Sequence, residues 1–142
     1  VQDPHNLGAC MRTADAVGAC AVVVPKDRAA SLTPAARKVA SGAAETVPLI
    51  RVTNLSRSML LLKELGLTLV GADERGPAMY HQADLNGPLG LVMGAEGRGL
   101  RRLTSERCDV LVRLPMEGIV ESLNVSVALG VMAYEAVRQR TV

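Results

Sequence analysis

Short apolar runs and longer periodic stretches alternate along this chain. Leu7, Met11, Ala14 and Val17 recur at helical spacing and predict a helix from about Leu7 to Val17. The turn Asp3-Pro4-His5-Asn6 leads into it, and Gly18 suits its end. Cys20 to Val24 is wholly apolar and stops at Pro25, the pattern of a parallel strand buried on both faces. A polar loop from Pro25 to Leu32 gives way to Thr33-Pro34, a helix start with Thr as N-cap and Pro in the first turn. That helix runs to about Ser41 and ends at Gly42. Val47 to Val52 is the next apolar run. Asn54 or Ser56 opens a helix through Leu65, closed by Gly66, and Thr68 to Gly71 is a short strand. Asp73 to Gly87 is rich in loop-forming residues, with room for one helical turn. Leu89 to Met93 reads as a strand, Leu100 to Glu106 as a short helix and Asp109 to Leu114 as the last strand. The closing helix runs from Ser122 or Asn124 to Arg138.

Apolar strands alternating with helices indicate an α/β domain with a mostly parallel sheet flanked by helices. The first element is a helix where such folds usually begin with a strand, which implies a strand upstream. The chain also opens on Val1 rather than Met, as a trimmed sequence would.

Composition narrows the picture. At 142 residues the chain is long enough for one domain with a real core, and 49 % hydrophobic residues argue against disorder. No apolar run reaches membrane-spanning length, so no membrane role is expected. Tyr80 and Tyr134 are the only aromatics, too few for a base-stacking RNA platform. A net charge of +2 is compatible with a nucleic-acid partner without requiring one. Cys10, Cys20 and Cys108 are far apart and form no CxxC pair, which predicts three buried thiols in a reducing, cytoplasmic compartment. His5 and His81 lack clustered partners at ligand spacing, so no metal is expected.

Candidate chemistry gathers at three junctions. Gly94-Ala95-Glu96-Gly97-Arg98-Gly99 follows a strand and precedes a helix, where parallel sheets place ligands. Its pattern is neither GxGxxG nor a P-loop, which argues against a dinucleotide or ATP. Alone it is equally well a connecting turn. Ser122-Leu123-Asn124 opens the closing helix. One residue suffices as N-cap, for which Ser122 serves, leaving Asn124 as a candidate for binding. Asn6 and Arg12 make the third junction. Each has an ordinary structural meaning, as a turn residue and as an exposed charge on a buried stem.

Together these stretches resemble the SpoU (TrmH-type) branch of the SPOUT methyltransferases. Its first motif is similar to residues 3–14, around Asn6 and Arg12. The second is similar to Leu91-Val92-Met93-Gly94-Ala95-Glu96-Gly97-Arg98-Gly99-Leu100. The third is similar to Leu114-Pro115-Met116 and Ser122-Leu123-Asn124-Val125-Ser126-Val127-Ala128. The order is the family's and the likeness spans the chain. Residues 24–28 and 38–45 look most like the subgroup of bacterial enzymes that 2′-O-methylate a guanosine of 23S ribosomal RNA.

The resemblance implies an α/β sheet with a C-terminal trefoil knot, a rare feature that hydrophobic patterning would not suggest. It implies S-adenosyl-L-methionine as cofactor, held by Gly94, Leu114, Met116 and Leu123 largely through backbone contacts. It implies a homodimer with the closing helix near the interface. It also implies that residues 1–142 are the catalytic domain alone, without the family's first strand and this subgroup's small N-terminal RNA-binding domain. Arg12 would be the central catalytic residue. A guanidinium is a poor base, so a clamp on the adjacent phosphate and the developing alkoxide suits it better than proton removal. Glu96 would orient it, Asn6 and Asn124 would hold it, the ribose or the cofactor, and Arg98, Arg101 and Arg102 are candidate phosphate contacts. Two alternatives share these residues: a tRNA ribose 2′-O-methyltransferase, and a module that binds RNA or cofactor without turnover. The joint presence of Asn6, Arg12, Glu96 and Asn124 argues against the latter.

Overall fold

The computed structural model describes residues 4–26, 33–94 and 99–141. They fall into two compact units, Val1–Leu55 and Ser56–Val142.

In the first unit, α1 (Pro4–Ala16) begins a turn earlier than the apolar periodicity suggests, because Pro4 is preset for a first helical turn. Its buried face is Leu7, Gly8, Cys10, Met11 and Ala14. The end is a Schellman turn. Gly18 takes φ +76°, its N–H donates to the Asp15 carbonyl (3.0 Å), and the Ala19 N–H donates to the Ala14 carbonyl (2.8 Å). β1 (Val22–Pro25) pairs in parallel with β2 (Leu49–Val52), Val22 opposite Leu49. Only Val24 of β1 is buried, so the expectation of burial on both faces is corrected to one buried position among half-buried ones.

α2 (Pro34–Ala40) starts as its sequence dictates, with the Thr33 hydroxyl accepting the Ala36 N–H at 3.1 Å. It ends one residue sooner than expected, at Ser41 in the left-handed conformation (φ 55°). Gly42, also left-handed, then opens the short α3 (Ala43–Thr46), which the apolar pattern did not disclose. α1 lies tightly on α2: a Cβ added to Gly8 would overlap the Ala36 carbonyl. Leu7, Met11, Ala14, Val24, Ala40, Ala43 and Val47 form the core of this unit.

α4 (Leu55–Glu64) leads into the second unit and ends at Gly66 as predicted, with φ +98°. Strands β3 (Thr68–Ala72), β4 (Ala78–Met79), β5 (Leu89–Val92) and β6 (Val110–Arg113) then form one sheet in the order β4-β6-β3-β5, parallel throughout. β4 is an addition. Its two residues are too few for a periodic signal, and the helical turn foreseen nearby is the 3₁₀ turn Tyr80–Gln82. α5 (Arg102–Arg107) lies between β5 and β6, and α6 (Val125–Arg140) closes the chain. Val70, Leu85, Val112, Met132 and Ala136 are the core of this unit.

Of the three thiols, only Cys10 is buried. Cys108 is half-buried and Cys20 exposed, which corrects the expectation that all three lie inside. Cys20 comes before the first paired residue of β1, so its apolar neighbours in sequence are not its neighbours in the sheet.

The far end of α6 is latched to the loop before β5. Gln139 takes the Leu85 N–H (2.8 Å) and donates to the Ala83 carbonyl (3.0 Å) and to Glu135 (2.9 Å). Arg138 grips Glu135 at 2.7 and 3.0 Å. The Arg138 bonds first, and the Gln139 bond second, hold the Glu135 carboxyl down at about 2, against an ordinary 4.5. A carboxyl lowered on folding stabilises fully above its ordinary value and stops doing so as pH falls through its folded value. Glu135→Gln should therefore flatten the acid limb of the stability profile between pH 4.5 and 2. Urea unfolding midpoints of variant and parent should differ at pH 6 and converge near pH 2; a constant offset would contradict this.

Candidate cofactor site

The chain leaves β5 on one side of β3 and returns as β6 on the other. Such a switch opens a crevice beyond the carboxyl ends of parallel strands. A cavity of about 130 Å³ lies there, lined by Ala72, Asp73 and Glu74 after β3, Met93 and Gly94 after β5, Leu114 and Met116 after β6, and Glu121, Ser122, Leu123, Val125 and Ala128 at the start of α6, with Gly99 completing it. A broader recess of about 570 Å³ shares Glu74, Leu114, Met116 and Glu121 with it and adds Met79, Arg113, Pro115 and Glu117.

Asp73 fixes one wall. Its side chain is 1 % exposed, and the carboxylate accepts from the Arg75 N–H (2.9 Å), Arg75 Nε (2.8 Å), Arg75 Nη2 (2.8 Å) and the Leu100 N–H (3.1 Å). The Arg75 side-chain bonds above all, with the backbone bonds from Arg75 and Leu100, hold its carboxyl well below the usual carboxylate range, although burial opposes this. Gly99 (φ +66°) rests on this carboxylate, where a Cβ would come 2.9 Å from Oδ2. Gly94 rests on Gly99 in turn, and a Cβ there would overlap the Gly99 carbonyl. Both glycines are required by close approach.

The four residues expected to hold a cofactor, Gly94, Leu114, Met116 and Leu123, thus come together on one cavity, and Ser122 joins them. The roles expected of Ser122 and Asn124 as helix cap are exchanged. Asn124 is the N-cap of α6, its Oδ1 accepting the Ser126 N–H (2.9 Å) and hydroxyl (2.6 Å), while Ser122 lines the cavity. The physical reason is helix position: residues 122–124 lie outside the helix and only Asn124 directly precedes Val125. Arg101 is the exposed residue before α5, and Arg102 pairs with Glu106 at 3.1 Å. Glu96 and Arg98 lie outside the described residues. Asn6 and Arg12 stand on α1 of the first unit, Arg12 exposed and Asn6 half-buried.

Sequence reading passed over Asp73, Glu74 and Glu121. The signal was present in Asp73-Glu74-Arg75, charges at the carboxyl end of a predicted parallel strand. The chemistry of the lining is mixed: Met93, Leu114, Met116, Leu123, Val125 and Ala128 are apolar, and the carboxylates of Glu74 and Glu121 and the Ser122 hydroxyl border them. That set suits a ligand with an apolar ring, hydroxyls and positive charge, and disfavours a phosphate.

These features define an α/β protein with a ligand crevice at a switch of parallel strands, and the comparisons agree. The model of the SpoU rRNA Methylase family matches residues 1–134, and the chain belongs to this family. It is 62 % identical, over all of its 142 residues and 57 % of the relative's length, to the 23S rRNA (guanosine-2′-O-)-methyltransferase RlmB of Pseudomonas putida. Among solved structures it resembles the SpoU methyltransferase AviRb of Streptomyces viridochromogenes in complex with the cofactor AdoMet (TM-score 0.90, 33 % identity, 99 % of this chain and 57 % of that one). It also resembles the A. aeolicus TrmH/SpoU tRNA modifying enzyme (TM-score 0.89, 32 % identity, 99 % and 72 %). The chain spans a little over half the length of the curated relatives it matches.

Removing the cap should loosen α6. Asn124→Ala is expected to cost about 1 kcal/mol in urea unfolding, and Asn124→Ser to recover most of it. Equal loss in both variants would deny the cap its role.

Proposed function

We propose that residues 1–142 form the catalytic domain of an S-adenosyl-L-methionine-dependent methyltransferase acting on the ribose 2′-hydroxyl of a guanosine in 23S ribosomal RNA, in the cytoplasm. The observation that carries this reading is the convergence of Gly94, Leu114, Met116 and Leu123 on one cavity at the strand switch. The high identity to RlmB favours ribosomal RNA over tRNA. The knotted path expected of the family, between β5 and α6, is part of the proposal. It is supported by the crossing of β5 and β6 about β3 and by the likeness to solved SpoU enzymes.

The cofactor, when bound, supplies an already activated methyl group on a cationic sulfonium. The chain's residues then have three tasks. Leu114, Met116 and Leu123 offer apolar surface to the adenosyl part, and Gly94, seated on Gly99, gives it a wall of backbone. Glu74 and Glu121 set a negative potential that favours a cationic ligand. Arg12, exposed on α1, neutralises the phosphate beside the target ribose and the charge growing on its 2′-oxygen. Asn6, Glu96 and Asn124 complete the catalytic group, and Arg98 and Arg101 serve RNA phosphates.

A homodimer is part of the same reading. Leu123, Val127, Val131 and Tyr134 follow one another at helical spacing at the start and along the side of α6, and all are exposed. Val131→Asp should convert a dimer to monomer in sedimentation; a monomeric parent would remove the dimer from the proposal.

Activity is tested with methyl-labelled cofactor and 23S rRNA or tRNA, mapping the product by resistance of the modified ribose to alkaline cleavage. Arg12→Ala should lower turnover about 10²–10³-fold, the usual cost of losing one charge-stabilising donor, with cofactor affinity little changed. Undiminished transfer by Arg12→Ala would displace it from the centre of the mechanism, and labelling of tRNA alone would change the substrate.

A further inference from the structure

Asp73 lines the cavity but has nothing left to offer a ligand. A carboxylate has about four acceptor positions, and Arg75 and Leu100 occupy all four. It is therefore neither a base nor an acceptor for a ligand hydroxyl. Its bonds act on the backbone instead. The Leu100 N–H ends on Asp73 Oδ2, and the Leu100 carbonyl accepts from Arg75 Nη2 at 3.4 Å. Both polar backbone groups of Leu100 are thus taken by the Asp73–Arg75 pair. Gly99 is seated on the same carboxylate and Gly94 on Gly99. The cavity wall is a stack, running from Arg75 at the solvent side through Asp73 and Gly99 to Gly94.

We propose that Asp73, braced by Arg75, is a positioning residue for the adenosyl cofactor: it sets the backbone at Gly99 and Leu100, and through it the Gly94 wall. This rests on the reading of the cavity as the S-adenosyl-L-methionine site. The arrangement needs no contact between Asp73 and the reacting groups. It needs the ionised form, because a protonated carboxyl surrenders an acceptor position to its own hydrogen.

The test is calorimetric titration of S-adenosyl-L-methionine into the intact chain, well below its melting temperature, with amide exchange at Leu100 followed in the cofactor-free protein. The parent chain comes first; failure of the parent to bind refutes the cavity's assignment itself. Given binding, Asp73→Ala should weaken affinity about tenfold or more, the scale of a small displacement in a binding wall. Asp73→Asn, which keeps an acceptor for the Leu100 N–H, should recover part of this. Arg75→Ala, at a side chain 62 % exposed, keeps the fold and should weaken binding about threefold. Leu100 exchange should quicken in the Asp73→Ala variant, and KM for the cofactor should rise while kcat at saturation holds. Affinity within twofold of the parent in both alanine variants overturns the proposal, as does unchanged Leu100 exchange. If Asp73→Ala does not fold, Arg75→Ala alone decides.

Discussion

Asp73 joins three separate pieces of chain at the carboxyl end of the sheet, through its backbone and its carboxylate together. Its backbone N–H donates to the Val112 carbonyl of β6 (2.9 Å), and its carbonyl accepts the Gly76 N–H (2.9 Å). Its side chain reaches Leu100. Gly76 is held from the other side by Arg113 Nη1 at 2.8 Å and lies so close to Val112 that a side chain there would strike the β6 backbone. A buried charge is costly unless hydrogen bonds replace its water, and here four N–H donors do so. The ion pair with Arg75 is open to solvent on the arginine side, so its charge is partly screened, while the Leu100 bond is fully enclosed.

The opposite end of the same strands is closed by a second aspartate. Asp109 Oδ2 accepts the Leu69 N–H (2.7 Å), its own N–H donates to the Leu69 carbonyl (2.8 Å), and Lys63 pairs with it at 3.3 Å. β3 is therefore tied to β6 at its amino end by the Asp109 carboxylate and at its carboxyl end by the Asp73 backbone N–H, in addition to the ladder between them. Short strands have few ladder bonds to resist slippage. Asp109, just before β6, and Asp73, just after β3, add a bond at each end to what strand length supplies.

Most elements were legible because their signals are local. Thr33-Pro34, Gly18 and Gly66 mark helix ends through backbone chemistry that a few residues carry by themselves. The apolar runs at Leu89 and Val110 read as strands because they are short, apolar and bounded by loop-forming or polar residues. What escaped depends on distant partners. β4 exists because Ala78 and Met79 meet Val112 and Arg113, and no property of those two residues announces it. Asp73 reads as a loop residue until Leu100, 27 positions later, is seen against it. Ser122 and Asn124 are equally good caps in sequence, and only the start of α6 decides between them. The cavity residues Gly94, Leu114, Met116 and Leu123 came from family resemblance, since apolar side chains at strand ends are otherwise indistinguishable from core.

The uneven placing of the cysteines has a practical side. Burial pushes the Cys10 and Cys108 thiols up to about 11. Each is then almost wholly un-ionised at pH 8, and the thiolate is the form that alkylating reagents attack. Cys20 is exposed to solvent. A maleimide fluorophore or spin label offered to the unaltered chain will thus settle on Cys20, just ahead of β1, and give a reporter of the first unit without any residue being replaced.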